Sequence, residues 1–359
     1  MELKFEQSTW DVDKALSVVD GGVYNLEEIT PVLERGPVKP GLLRALLNPQ
    51  FIPMTTDTFK YDEITATAQV PDGKPFSDYG KDLTKDKPRQ LRYAIPSFGI
   101  RFNVKPEDYS GRRKPGESVE FLTEADVVAA MTTKSQLAWD LFDELAIAQL
   151  LTADTNIVRG GPFTSYNFYT DITGGARAAK ISMDLLTAAT DHEQLFRKQR
   201  RLLAQELAKA GDSASQIVVI CGDTFFDQRY DIQKNDGLAR PIQFGPDLAT
   251  MPIGELSEGG FNYAYFDSGD GLRYINYGSE IIAGQKLIGD DDAYMIPVGA
   301  SNLMSIGVAP AQTRQYVNTP GLNMYGWSKA DDRQGVSMFT ESNRLYSYKN
   351  PRAVIHLTK

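Results

Sequence analysis

Few residues in this 359-residue chain have the type and setting to do chemistry. Cys221 is its one cysteine, so an intramolecular disulfide is ruled out. It ends the run Ile217-Val218-Val219-Ile220-Cys221, whose apolar continuity is that of a buried strand. A thiol there lacks the exposed, electropositive setting that makes a thiolate, so it reads as an inert core residue. The two histidines, His192 and His356, are too few for a His-rich metal site or a zinc cluster. His356 lies in Ala353-Val354-Ile355-His356-Leu357-Thr358, where alternation puts it on one strand face with Val354, a packing position rather than a catalytic one.

The 47 acidic residues supply many carboxylate pairs, yet no motif selects one as a hydrolytic dyad. Asp267-Ser268-Gly269-Asp270-Gly271 has the look of a calcium loop, but glycine holds the third ligand position and the twelfth position has no glutamate. It reads as a hairpin turn. Asp290-Asp291-Asp292 reads as a solvated strand entry ahead of Ala293-Tyr294-Met295-Ile296-Pro297. The basic stretch Arg197-Lys198-Gln199-Arg200-Arg201 has no interleaved aromatic platform and is flanked by Glu193 and Glu206, so it reads as a solvated or intersubunit helix face. A net charge of -9 argues against tight sequence-independent binding to nucleic acid, which depends on neutralising phosphates. Nucleophile elbows, phosphate loops and dinucleotide fingerprints are absent. No catalytic, cofactor-binding or metal-binding residue is assigned, and no cofactor is expected.

These residues sit on a recognisable order of elements. The start is polar and no apolar run is long enough to span a bilayer, so the expectation is a protein made in the cytoplasm without membrane attachment. Pro40 to Pro49 brackets a short apolar helix. From Thr55 to about Pro106 the pattern is extended, with two alternating arms, Thr58 to Asp62 and Ile100 to Val104, around turn-rich, mixed-charge sequence. That is the pattern of a long hairpin serving as an intersubunit element or as an enzyme surface loop. A helix is predicted from Thr123, its N-cap, to Ala153, with Ala138, Leu141, Leu145, Ala148 and Leu151 as an apolar stripe. Thirty residues make a rod of about 45 Å, long for a small domain. Tyr166 to Tyr169 reads as extended, and a second helix runs from Asp191 to Ala210 with Gly211 as C-cap. Strand Gln216–Cys221, a helix through residues 223–230, and strands around 261–266 and 272–277 follow. The end reads as a closing hairpin, Arg344 to Tyr348 returning through Leu357.

Several blocks, in order, resemble the lambda-type major capsid proteins of tailed phages. They are Phe51-Ile52-Pro53-Met54-Thr55-Thr56-Asp57, Ala94-Ile95-Pro96-Ser97-Phe98 with Val104-Lys105-Pro106, and Glu144-Leu145-Ala146-Ile147-Ala148-Gln149. Tyr294-Met295-Ile296-Pro297-Val298-Gly299 and the stretch from Glu341-Ser342 through Asn350-Pro351 to Leu357 complete the set. Their collinear order across nearly the whole chain is more specific than any single block.

The resemblance implies an α+β chain with the Hong Kong 97-like phage capsid fold. Its parts would be an N-terminal arm at 1–54, an extended β-hairpin loop at 55–106, and a peripheral domain with the spine helix at 107–211. An inserted axial domain at 212–308 and a C-terminal return to the peripheral domain at 309–359 would complete it. It also implies self-assembly as hexamers and pentamers into an icosahedral virion shell around double-stranded DNA, without sequence-specific binding, together with scaffold, portal and decoration proteins. Candidate intersubunit contacts are Lys74, Phe76, Tyr79 and Lys81 in the loop and Arg112, Arg113 and Lys114, similar in placement to the family's basic run before the helix. Some relatives of the fold crosslink a hairpin lysine to a neighbour, a role for which Lys74 and Lys81 are the candidates. A nanocompartment shell of the same fold is the second structural possibility. The competing class is a soluble α+β carboxylate-dependent hydrolase with a mobile substrate-binding hairpin, which would require a concave pocket holding paired acids of perturbed titration.

Overall fold

The computed structural model describes residues 41–63, 89–114, 120–157, 165–187, 191–235, 254–258, 261–268, 271–278, 281–282, 285–301, 303–311, 313, 316, 318–331 and 335–359. Along the chain, helix α1 (Leu42–Leu47) leads into strands β1 (Gln50–Pro53), β2 (Thr58–Glu63), β3 (Arg89–Ala94) and β4 (Ser97–Val104). The short α2 (Pro106–Tyr109) and the long α3 (Glu124–Ala153) follow, then α4 (Phe168–Thr173), β5 (Ile181–Ser182) and α5 (His192–Lys209). Next come β6 (Gln216–Cys221), α6 (Asp223–Asn235), β7 (Gly254–Glu258), β8 (Phe261–Asp267), β9 (Arg273–Asn276) and the ribbon β10 (Ile281–Ile282) and β11 (Gln285–Lys286). Strands β12 (Asp292–Val298), β13 (Met304–Val308), β14 (Tyr325–Asp331), β15 (Gly335–Tyr348) and β16 (Ile355–Thr358) follow, with a 3-10 turn at Pro351–Ala353. The described residues divide into two compact units: 102–134 with 328–338, and 41–101 with 135–327 and 339–359.

In the smaller unit, the helix start is written locally. The Thr123 hydroxyl accepts the Asp126 N–H at 3.2 Å while the Asp126 carboxylate accepts the Thr123 N–H at 3.1 Å. This reciprocal cap satisfies two groups at the end that the helix itself leaves open, and Glu124 and Asp126 complement the dipole. Before it, Arg113 and Phe121 form an isolated antiparallel bridge. Gly335 has φ +86, and a Cβ there would lie 2.0 Å from the Val104 carbonyl oxygen, so only glycine fits.

The larger unit is built on a mixed sheet of order β5-β16-β12-β6-β9-β8-β7. Its centre, β6 against β12 with Cys221 opposite Ala293 and Val219 opposite Met295, is an unbroken apolar run because both faces are covered. Phe196 of α5 meets Tyr274 of β9 and Phe225 of α6 edge-on at 5.5 and 6.4 Å. The expected hairpin around residues 267–271 is present: β8 and β9 pair antiparallel, and Gly271 takes φ +77 in the turn. Helix α5 starts on Asp191, whose side chain accepts the Gln194 N–H, and ends at Gly211 with φ +67, as its sequence signals require.

A second sheet has the order β1-β13-β15-β14, with β4 also paired to β15. Strand pairing departs from the sequence expectation in two places. The arm Thr58–Glu63 pairs with Arg89–Ala94, Thr58 opposite Ala94, and not with residues 100–104, which join β15 instead. Pro96 separates the two segments and frees β4 to change partner. The C-terminal segments also do not close a hairpin on each other: β15 pairs β13, whereas β16 pairs β12 in the larger sheet. In a third departure, Asn167 caps a short helix over Phe168–Thr173 within the stretch read as extended, with Gly174 at φ +74 ending it.

Candidate functional site: the buried acidic pair of the long helix

The narrow apolar stripe expected on α3 widens to full enclosure over residues 143–148, all of which are buried. Enclosure on every side leaves Asp143 and Glu144 out of water, so each needs compensation from the protein. Glu144 is fully buried. Its carboxylate accepts the backbone N–H groups of Leu43 at 2.8 Å and Arg44 at 3.2 Å, and the Tyr277 hydroxyl at 2.8 Å. It thus closes the open start of α1, fixing Leu42, Leu43 and Leu47 in the core, and ties α3 to the segment following β9. Burial pushes its carboxyl above the ordinary glutamate range, with the three donors and Arg44 pulling it back.

Asp143 faces a different set. One oxygen receives the Arg344 guanidinium and the Tyr346 hydroxyl, and the other receives Arg44 at 3.0 Å. Arg344 is itself buried and spends its remaining donors on the Ser342 hydroxyl at 2.5 Å and the Asn323 carbonyl at 3.0 Å, with its plane 5.2 Å from the Trp139 ring. Burial works against the Arg344 charge, and Tyr346 and Asp143 outweigh it. Nearby, Thr340 of β15 accepts the Trp139 indole N–H at 3.3 Å and exchanges a hydrogen bond with Ser135 at 3.1 Å. The long helix is therefore bolted to α1, β15 and the β9 exit by side chains that occupy both buried acids, Asp143 and Glu144.

A further clasp closes the C-terminal end of α3. Asp154, in the left-handed conformation at φ +58, takes both a 2.5 Å Nε and a 2.5 Å Nη2 contact from Arg177. Arg177 also donates to the carbonyls of Val354 and Pro351 and lies 4.2 Å from the Tyr169 ring. Burial raises the Asp154 carboxyl in spite of this pairing.

The loop candidates Lys74, Phe76, Tyr79 and Lys81 lie outside the described residues. Arg112, Arg113 and Lys114 flank the bridge to Phe121: the first two are exposed, and Lys114 reaches Asp126 at 3.3 Å and Glu120 at 3.6 Å. Asp126 raises the Lys114 pKa. Lys114 thus supports the helix start. Cys221 is buried and its thiol is driven far up by burial. His356 is buried against Tyr294 at 4.8 Å, and burial lowers its pKa to about 3. The acidic run 290–292 is met by ammonium groups: Lys286 on Asp290, Lys359 on Asp291 at 2.7 Å, and Lys180 on Asp292 at 2.5 Å. Among the described residues no three His, Cys, Asp or Glu side chains could hold a metal. A cavity of about 270 Å³ beside α5 has Glu206 as its single lining carboxylate, so the acid pair needed by a hydrolase is not there.

Sequence reasoning cited Glu144 as the start of a family-like run, did not single out Asp143, and missed the structural work of both. The available signal was two adjacent acids followed by an uninterrupted run of small and apolar residues. Arg344, Tyr346 and Tyr277 carried no comparable mark.

The fold is that of Hong Kong 97-like capsid subunits. It is shared with a chain in the capsid structure of the cyanophage P-SCSP1u, at 11% identity over 95% of this chain and 94% of that one, with a TM-score of 0.51. A chain of the mature capsid of bacteriophage PhiM1 is similar at 10% identity over 93% and 92% of the two chains, with a TM-score of 0.53. A curated relative, the major capsid protein of Pseudomonas phage KPP10, is 24% identical over 289 residues, covering 76% of this chain and 79% of that protein. The profile of phage major capsid protein E matches residues 25–359, and the chain belongs to that family. It is a structural subunit of a virion capsid.

Proposed function

We propose that this subunit closes an icosahedral shell from hexamers and pentamers around the double-stranded DNA of a tailed phage, and that it does so without a catalytic site. Residues 1–54 serve as the arm, 55–106 as the loop that reaches a neighbour, 107–211 and 309–359 as the peripheral domain and 212–308 as the axial domain. The observation that carries this reading is the ribbon of β2 and β3, which stands outside both large sheets. A two-stranded ribbon is marginal alone. This one is rooted by Phe59, buried and set against Gly307, and by Tyr93, edge-on to Tyr166 and Phe168 at 5.0 and 5.1 Å. A secure root with residues 64–88 still to follow suits a limb whose remaining partners are other copies.

A closed shell gains stability by repeating moderate contacts, so no single tight site is needed. The net charge of -9 fits an inner wall that DNA can slide past. Scaffold, portal and decoration proteins are the expected partners, the basic residues 112–114 and the loop residues 74, 76, 79 and 81 the expected subunit contacts, and the host cytoplasm the place of assembly.

The test is electron microscopy of the chain expressed with its scaffold, alongside a variant in which residues 66–86 are replaced by a short Gly-Ser link that spares β2 and β3. Regular particles from the parent chain, lost in the variant at unchanged circular dichroism, are expected. A folded monomer under every assembly condition would sink the proposal.

A further inference from the structure

The solvent face of the β2–β3 ribbon carries two cations set against each other. Lys60 lies directly opposite Arg92 and both are exposed, while Phe59 and Tyr93 on the other face are buried. Opposed residues of an antiparallel pair hold their Cβ atoms about 5 Å apart, so like charges there repel and weaken the pairing. Among the described residues neither cation forms an ion pair, and Arg92 turns its Nε to Gln90 of its own strand at 2.7 Å. Asp62 stands opposite Gln90 in the register, so the row offers one acid for two cations. A two-stranded ribbon is marginal by itself, and this one retains a repulsion that a pair of carboxylates would turn into attraction.

The complementary arrangement stands on α6. Asp227 and Asp231 are both exposed and sit one helical turn apart, a spacing that sets Cβ atoms about 5–6 Å from each other. Among the described residues no cation pairs with either, whereas Asp223, a turn earlier, is met by Lys286 at 3.1 Å. Burial raises the Asp227 carboxyl, and repulsion from Asp223 and Asp231 adds to it. The cation pair and the acid pair match in spacing and oppose in sign, yet no ion pair joins them within the described chain. Duplex DNA is the other anion of a filled shell, but two cations neutralise too few phosphates to hold it.

We propose that Lys60 and Arg92 of one copy dock on Asp227 and Asp231 of a second copy, a charge-paired contact between the root of the ribbon and α6 of its neighbour. The inference rests on the shell function, which sets copies side by side at fixed geometry. Each exposed ion pair is weak alone, and its repetition at every subunit of a closed shell makes it count.

The test reverses the charges in the full chain, expressed with its scaffold. Lys60→Glu with Arg92→Glu keeps a like-charge pair on the ribbon, so subunit melting is expected to stay within a few degrees of the parent. Particle yield is expected to fall at least tenfold, because attraction becomes repulsion at every contact. Asp227→Lys with Asp231→Lys is expected to do the same, and the fourfold variant to recover yield to within about threefold of the parent. Lys60→Glu alone sets opposite charges across the ribbon, and is expected to raise subunit melting slightly while lowering yield. Parental yield from either double variant, or no recovery in a fourfold variant that melts like the parent, would overturn the proposal. So would a loss of packaged DNA at parental particle yield, which would give the cations to nucleic acid. Failure of the parent chain itself to form particles would count against the shell function, a separate result.

Discussion

The Glu144 carboxylate lies 2.8 Å from the backbone nitrogen of Leu43, a hydrogen bond spanning 101 residues of chain. It converts an acid in the middle of a buried helix into the cap of a second helix. The polar cost of the long helix is thereby met by the same contact that places α1.

Glu144→Ala strands two N–H groups and the Tyr277 hydroxyl in the core. At about 1–3 kcal/mol for each unmet group, a loss on the order of 3–5 kcal/mol is expected in urea unfolding. Glu144→Gln retains one acceptor and loses less, while Tyr277→Phe costs about 1 kcal/mol. Equal effects for all three would contradict the capping role.

Arg344→Met leaves Asp143 buried with Arg44 and Tyr346 as its remaining partners. Breaking such a pair from one side costs about 3–5 kcal/mol. The double variant with Asp143→Leu is expected to recover much of that loss, because no charge is then left without its partner. A double-mutant cycle with simple additivity would show that the two groups do not interact.

His356 gives the subunit an acid-sensitive core. Its folded pKa, lowered to about 3 by burial, lies below the unfolded value of 6.5, so the unfolded chain binds the extra proton first. Its contribution is complete above pH 6.5 and is lost as pH falls from 6.5 toward 3, in total on the order of 5 kcal/mol. Glu144 has the opposite sign: its raised carboxyl gains a proton more readily in the folded chain, favouring folding as pH falls through its folded value toward 4.5. The discriminating quantity is therefore the difference between parent and His356→Phe, which should narrow as pH drops from 7 to 4. A constant difference would show that the ring does not titrate in this way.

Gly335→Ala is expected to cost several kcal/mol, since it adds a Cβ 2.0 Å from the Val104 carbonyl oxygen at a φ that L residues resist. Thermal melting of the purified subunit measures it. Substitution of Gly41, around which a Cβ meets nothing within 4 Å and which has no positive φ, is the control, expected to shift melting little.

By itself, the sequence determined what is decided within a few residues. The Thr123 and Asp191 caps, the Gly211 terminator and the apolar run 217–221 placed α3, α5 and β6 nearly to the residue, because their bonds close within one helical turn or one strand. The ordered motifs also carried the fold class. Tertiary structure alone decided partnership. Alternation in Thr58–Glu63 is satisfied equally by β3 or β4, and which of them pairs depends on where Pro96 lets the chain turn and on what β15 offers. The same holds for Asp143 and Glu144, whose burial had no local mark and whose partners Leu43, Tyr277 and Arg344 lie up to 201 residues away. A buried charge is tolerable only with its partners already in place, and no local pattern records where they will come from.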